Sequence, residues 1–281
     1  MRLVTFHHND HNHAGVLLGD KVVSLAKTDF KTVLDVISAG PAATEFIKDA
    51  LLTGADFPLS AVKLLAPIPR PPKIICIGLN YRDHAIESKL EIPKIPVVFS
   101  KYPSVTIGPG EAIVLPKNSA KPDYEAELAV VIGKNARHVA AENWKEYVFG
   151  YMCLNDVSAR DVQMATSQWM LGKTFDTFAP MGPAIVTADE IADPHDLNIS
   201  LDINGETLQN SNTKELIFRI PELIAHLSSI MTLEPGDVIS TGTPSGVGFS
   251  YTPPRWLTPG DVVTVTIEGV GALSNPCIAE A

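Results

Sequence analysis

The sequence predicts an α+β protein made mostly of strands, with a small N-terminal unit ahead of a larger body. Three observations predict it. Short apolar runs recur along the chain, Gly and Pro punctuate them, and helical periodicity is confined to a few segments. No regular strand–helix–strand alternation links the runs, which argues for an α+β or sandwich-like body over a doubly wound sheet. The 281 residues, 45% of them hydrophobic, fill one large domain or two at ~150 residues each.

Taken in order, residues 2–6 and 14–18 read as strands, Gly19-Asp20 as a turn, and 21–25 as a third strand. Residues 32–39 and 42–52 are helical in pattern. Then Ala66-Pro67-Ile68-Pro69-Arg70-Pro71-Pro72 crowds four prolines into six positions. Proline lacks an N–H and fixes φ, so this stretch is a stiff connector. It divides the chain into a unit over 1–66, a linker over 67–72 and a body over 73–281. In the body, strands are predicted over 74–78, 97–100, 112–115, 126–132, 147–154, 184–186, 199–203, 238–241 and 262–267. Helices are predicted over 83–88, 158–167 and 220–229, the last with Pro221 suited to its first turn.

Composition excludes whole classes of function. Lys plus Arg number 22 against 32 Asp plus Glu, a net charge of −10. That is a poor match for a phosphate backbone or an anionic bilayer, so neither nucleic acid nor membrane is expected as a partner. No uncharged apolar run approaches ~18 residues, and the polar N-terminus does not read as a signal peptide. Cys76, Cys153 and Cys277 have no zinc-like spacing and read as buried reduced thiols, which points to a cytoplasmic, reducing setting. His7, His8, His11 and His13 cluster near the N-terminus without diagnostic ligand spacing and read as a solvated loop.

Several pieces carry possible chemistry. Glu125-Ala126-Glu127 opens a strand, and residues two apart on a strand face one side. Two adjacent carboxylates are costly without a cation, although a solvated strand edge would also hold them. Asp156 follows another strand and is placed to cap a helix, with Arg160 and Gln163 on the same helical face. His84 and Glu87 stand at i and i+3, where a carboxylate can orient an imidazole for general-base work. Ser240-Thr241-Gly242-Thr243-Pro244-Ser245-Gly246-Val247-Gly248 is a Gly-rich strand end suited to an anion. It is neither a Walker loop nor a dinucleotide fingerprint.

In this order the pieces resemble the fumarylacetoacetate hydrolase family. The matching stretches are Gly78-Leu79-Asn80-Tyr81 with His84 and Glu87, then 123–133, 155–163, 172–182, 242–248 and 260–276. The resemblance implies a β-sandwich roll (a pseudobarrel) with a small N-terminal domain. It implies that Glu125, Glu127 and Asp156 hold one divalent ion, and hard carboxylate oxygens suit Mg²⁺ or Mn²⁺.

By the same resemblance, Lys173 balances the site's charge, and Arg160, Gln163 and Thr243 hold the oxo-acid end of a small-molecule substrate. Lys101 supports them. His84 and Glu87 form the catalytic dyad on a short helix acting as a lid, with Glu87 as base toward a water. The implied reaction is hydrolysis of a C–C bond in an acylpyruvate or other 2,4-dioxo acid through a metal-bound enolate. Oxaloacetate-type decarboxylation and oxo-acid hydration or isomerisation use the same site, and a non-catalytic binding protein is the reading from another class. A homodimer is expected from the family.

Overall fold

The computed structural model describes residues 1–53 and 56–281; residues 54 and 55, inside the expected N-terminal unit, lie outside the described residues. The chain opens with strands β1 (Arg2–His8), β2 (His11–Leu18) and β3 (Lys21–Ser24). Asn9 and Asp10 join β1 to β2 at φ of 48° and 63°, the left-handed geometry that two-residue hairpins require. Helix α1 (Val33–Ala39) starts on a capping box. Thr32 Oγ1 accepts from the Asp35 N–H, and the Asp35 carboxylate accepts from the Thr32 N–H. Helix α2 (Ala43–Thr53), β4 (Asp56–Pro58) and β5 (Lys63–Leu65) complete this part.

The remainder supplies β6 (Ile74–Gly78), α3 (Arg82–Ser88), β7 (Val97–Lys101), β8 (Thr106–Ile107), β9 (Ile113–Leu115), β10 (Pro122–Asp123) and β11 (Ala126–Ile132). Next come β12 (Val148–Asn155), β13 (Ser158–Ala159), α4 (Arg160–Gln163), β14 (Ala179–Thr187), β15 (Asn198–Ile203) and β16 (Glu206–Asn212). Helix α5 (Ile220–Ile230), β17 (Val238–Ser240), β18 (Val262–Ile267) and β19 (Gly271–Ala279) close the chain. One large mixed sheet runs β4-β3-β2-β1-β14-β12-β11-β17-β6-β7, and a second runs β16-β15-β18-β19-β9. Among the described residues the large sheet has β4 and β7 at its two ends with no pairing between them, so the body is a roll of open mixed sheets and not a closed barrel.

Residues 1–66 do not stand apart from this sheet. Strand β1 pairs with β14 through Arg2↔Val186 and Leu3↔Ile185. The Pro-rich connector carries no helix or strand, yet Ala66, Pro67 and Ile68 are buried, and Pro67 accepts a hydrogen bond from Thr5 Oγ1.

Strand β11 shows how the layers form, because every residue in it is buried. Leu128, Val130 and Ile132 pack with α5 and the second sheet, through Leu223, Leu227, Ile199, Leu201 and Val265. Ala129 and Val131 pack on the opposite face with Val36, Ile37 and Ile47 of α1 and α2. A near-continuous apolar strand is what burial on both faces demands.

Several features differ from the expectation, among them the short strands β4, β5, β8, β10 and β13, which were not foreseen. Strands β16 and β19 had no apolar alternation: β16 is a polar edge strand, and β19 carries Gly, Asn and Pro. The helix expected over 158–167 is reduced to the single turn α4, with Ala159 at its N-cap position. Asp156 therefore does not cap a helix, because β13 intervenes.

Register places the site. Strand β11 runs antiparallel to both β12 and β17, with Ala126 opposite Asn155 and Ala129 opposite Ser240. Strand β6 runs parallel to β17. The start of β11 and the ends of β12, β17 and β6 thus meet at one sheet edge. Asn80 fixes the corner: Nδ2 donates to the carbonyls of Thr241 (2.7 Å) and Phe218 (3.0 Å), and Oδ1 accepts from the Phe218 N–H (2.8 Å).

Candidate active site

At that edge the carboxylates of Glu125, Glu127 and Asp156 converge, each offering an oxygen within 4.8 Å of the others. All three are buried. Among the described residues this is the only such group of His, Cys, Asp or Glu; the four N-terminal histidines, expected in a loop, instead lie in strands β1 and β2 and form no such group. Glu127 Oε2 accepts from Ser240 Oγ (2.5 Å) and the Gly242 N–H (2.7 Å). Burial, then the charges of Asp156 and Glu125, nevertheless raise its pKa well above the ordinary value. Burial also acts to raise Glu125, but Lys173 and Arg160 outweigh it and hold its pKa at about 2. A crowd of hard oxygens without thiolate or imidazole fits a divalent ion such as Mg²⁺ or Mn²⁺.

Three cationic side chains surround the triad. Lys173 Nζ lies 2.7 Å from Glu125 Oε2 and 2.9 Å from Asp156 Oδ2. Lys101 Nζ lies 2.5 Å from Asp156 Oδ1 and donates to the Val157 carbonyl at 3.0 Å. Arg160 spreads its fork over Asp123 Oδ2 (Nε, 2.8 Å), Gln163 Oε1 (Nη1, 3.0 Å) and Glu125 Oε1 (Nη2, 2.6 Å).

A cavity of about 350 Å³ opens onto this cluster; Glu125, Glu127, Arg160, Gln163, Lys173, Thr243 and His84 reach its wall. Its outer part is apolar, with Leu90, Pro93, Phe99, Met164 and Trp169. His84 and Glu87 sit on α3 as expected, Nδ1 to Oε2 at 3.3 Å. Glu87 Oε1 also accepts from the Gly246 N–H at 2.9 Å. Burial acts to raise the Glu87 carboxyl, but the bonds from His84 and Gly246 leave it lowered.

One expected residue and one expected loop act otherwise than foreseen. Lys101 does not reach the cavity wall and holds Asp156 from behind. The Gly-rich loop's N–H groups at Gly242, Gly246 and Gly248 bind the chain's own carboxylates of Glu127, Glu87 and Asp123. Of that loop, Thr243 remains in the wall, its Oγ1 accepting from Gln209 Nε2 at 2.9 Å.

The sequence reading missed Asp123, Gln209 and Phe249. Asp123 carried a signal, since it precedes Glu125 by two positions in Asp123-Tyr124-Glu125. Gln209 carried none, because it lies on the polar strand β16.

Fold and site together define an enzyme class that centres a buried carboxylate triad at the edge of a mixed β-roll, beneath a short helix. Residues 73–278 match the fumarylacetoacetate (FAA) hydrolase C-terminal family, and residues 1–67 match the Rv2993c-like N-terminal family. The chain belongs to the fumarylacetoacetate hydrolase family. It is 46% identical over 289 residues to the rat "Oxaloacetate tautomerase Fahd2a, mitochondrial", covering 99% of this chain and 92% of that one. A maleylpyruvate hydrolase from Sphingobium sp. SYK-6, solved with manganese(II) and pyruvate, superposes over the whole of both chains, with a TM-score of 0.85 and 34% identity. A 5-carboxymethyl-2-hydroxymuconate delta-isomerase from Mycobacterium smegmatis also aligns over both whole chains, with a TM-score of 0.82 and 36% identity. Among the described residues no helix is long and apolar enough to cross a membrane.

Proposed function

We propose that the protein is a divalent-cation-dependent isomerase that interconverts the enol and keto forms of an oxaloacetate-type 2-oxo acid. The observation that carries the reading is that Glu125 and Glu127 of the carboxylate triad face the same cavity as an imidazole backed by a carboxylate, with Asp156 buried beneath them. The rat relative's name supplies the substrate class.

Glu125, Glu127 and Asp156 would hold Mg²⁺ or Mn²⁺, whose positive charge would stabilise negative charge developing on the oxo acid. Gln163, its Oε1 occupied by Arg160, keeps its amide N–H groups for a substrate carboxylate. The Thr243 hydroxyl, already accepting from Gln209, has its own proton to donate. With Nδ1–H given to Glu87, the Nε2 of His84 keeps a lone pair and takes the proton from C3. Lys173, in the cavity wall, balances the charge and can donate to the substrate oxygen.

The test follows the decay of enol oxaloacetate absorbance with Mg²⁺- or Mn²⁺-loaded protein. Acceleration is expected, lost on chelation and reduced about 100-fold or more in His84→Ala. Loaded protein that leaves the decay at its buffer rate ends this reading.

Hydrolysis of an acylpyruvate C–C bond is the second reading, favoured by the His84–Glu87 contact and the likeness to a maleylpyruvate hydrolase. There Glu87 and His84 would take a proton from water as its oxygen attacks the distal carbonyl. The C–C bond then breaks to give a carboxylic acid and the enolate of pyruvate, whose carbon takes back the proton that the dyad removed from water. Pyruvate released from acetylpyruvate, and lost in Glu87→Gln, is the outcome that selects it. Three free buried cysteines favour a reducing compartment, and the rat relative is named mitochondrial. A homodimer, checked by sedimentation, completes the proposal.

A further inference from the structure

Phe249 stands between the two working halves of the cavity. The Arg160 guanidinium carbon lies 4.8 Å from its ring centroid, and the His84 ring lies 6.1 Å away, inclined at 73°. Its backbone N–H donates at 3.2 Å to Asp123 Oδ2, the oxygen that also accepts from Arg160 Nε. Three residues earlier, the Gly246 N–H holds Glu87 of the same dyad. Between them the Gly248 N–H donates to Asp123 Oδ1 at 2.7 Å, and a Cβ added at Gly248 would lie 2.5 Å from that oxygen. One short segment therefore touches the lid carboxylate at its first residue and the guanidinium at its last.

We propose that Phe249 is a positioning residue that couples anion binding at Arg160 to the seating of the His84–Glu87 helix. This rests on the roles that the family resemblance implies, Arg160 holding the acid end of the substrate and α3 acting as a lid. An aromatic face attracts a cation through its quadrupole, so the ring fixes the plane of the guanidinium. The same ring packs near-perpendicular to the imidazole, an arrangement aromatic pairs favour. When an anion draws Arg160 toward the cavity, the ring follows its cation and carries the contact with His84. Asp123, fully buried and bonded to both Arg160 and the Phe249 backbone, is the fixed point of the movement.

The experiment uses the full chain loaded with Mn²⁺ and oxalate as a non-reacting anion, so it does not depend on turnover. Calorimetry gives the Mn²⁺ and oxalate affinities, and hydrogen exchange reports amides 83–89 with and without saturating oxalate. In the unsubstituted protein oxalate is expected to slow exchange across this helix. Phe249→Leu keeps apolar bulk and Mn²⁺ binding, weakens oxalate about tenfold, and abolishes the slowing even at saturation. Phe249→Tyr restores both. Slowing that persists in Phe249→Leu, or is absent in the unsubstituted protein, overturns the proposal. So does loss of Mn²⁺ binding in Phe249→Leu or of slowing in Phe249→Tyr, since either leaves the ring a structural role only. Failure of enol isomerisation with the coupling intact would instead count against the proposed reaction alone.

Discussion

Glu127 sits in a conflict that a bound cation would resolve: two hydrogen-bond donors address its Oε2, yet burial and two neighbouring carboxylates oppose its charge. Glu127→Gln keeps the shape and removes the anionic donor, so Mn²⁺ affinity is expected to fall about 100-fold with the circular dichroism unchanged. The pairing of Glu125 with Glu127 was legible from strand alternation alone. Asp156 was legible only by resemblance, because its approach from the end of β12 depends on a register no local pattern encodes. A second residue-scale case is Asp261, which lines none of the cavity wall. Burial acts to raise Asp261, but bonds from Arg255 and Thr258 outweigh it and keep its pKa below the ordinary 3.8. A depressed folded pKa gives stability that is present above 3.8 and lost as pH falls through the lower value. Asp261→Asn should therefore lower the melting temperature at pH 7 and narrow the gap to the unsubstituted protein near pH 3, as read by calorimetry.

Helix α3 has seven residues, too few to persist by its own propensity. Tethers hold it: Glu87 to the Gly246 N–H, Asp83 Oδ2 accepting from Ser211 Oγ at 2.6 Å, and Arg82 Nη1 donating to the Leu216 carbonyl at 3.0 Å. The helix was legible at 83–88, but its tethers were not, since β16 supplies one and its polar sequence hides it. Gly246 is the sensitive point. It sits at φ +94°, and a Cβ there would lie 2.0 Å from the Leu208 carbonyl oxygen. Gly246→Ala is expected to cost about 2 kcal/mol or more in denaturant unfolding. Turnover should fall with it, because the anchor of Glu87 moves.

At the scale of the molecule, the Pro-rich stretch is visible in the sequence, while the β1–β14 pairing that joins the chain on either side of it is not, being long-range. Leu3 lies at that seam, fully buried with Ile185 opposite. Leu3→Ala should cost about 2–5 kcal/mol. Shared core and sheet predict that calorimetry shows one transition in both proteins; two resolved transitions would contradict this. The same scale gives meaning to the charges beneath the cavity. Asp123, Glu125, Glu127 and Asp156 outnumber Lys101, Lys173 and Arg160 by one, inside a chain whose net charge is −10. A doubly negative acid diffusing inward climbs a repulsive potential, and only a divalent ion at the bottom reverses the sign. Dissolved salt damps the outer barrier over ~8 Å at 0.15 M yet hardly touches the desolvated floor. Potassium chloride should consequently raise kcat/KM for such an acid in a stopped-flow titration, opposite to the trend for an enzyme that steers its ligand by attraction.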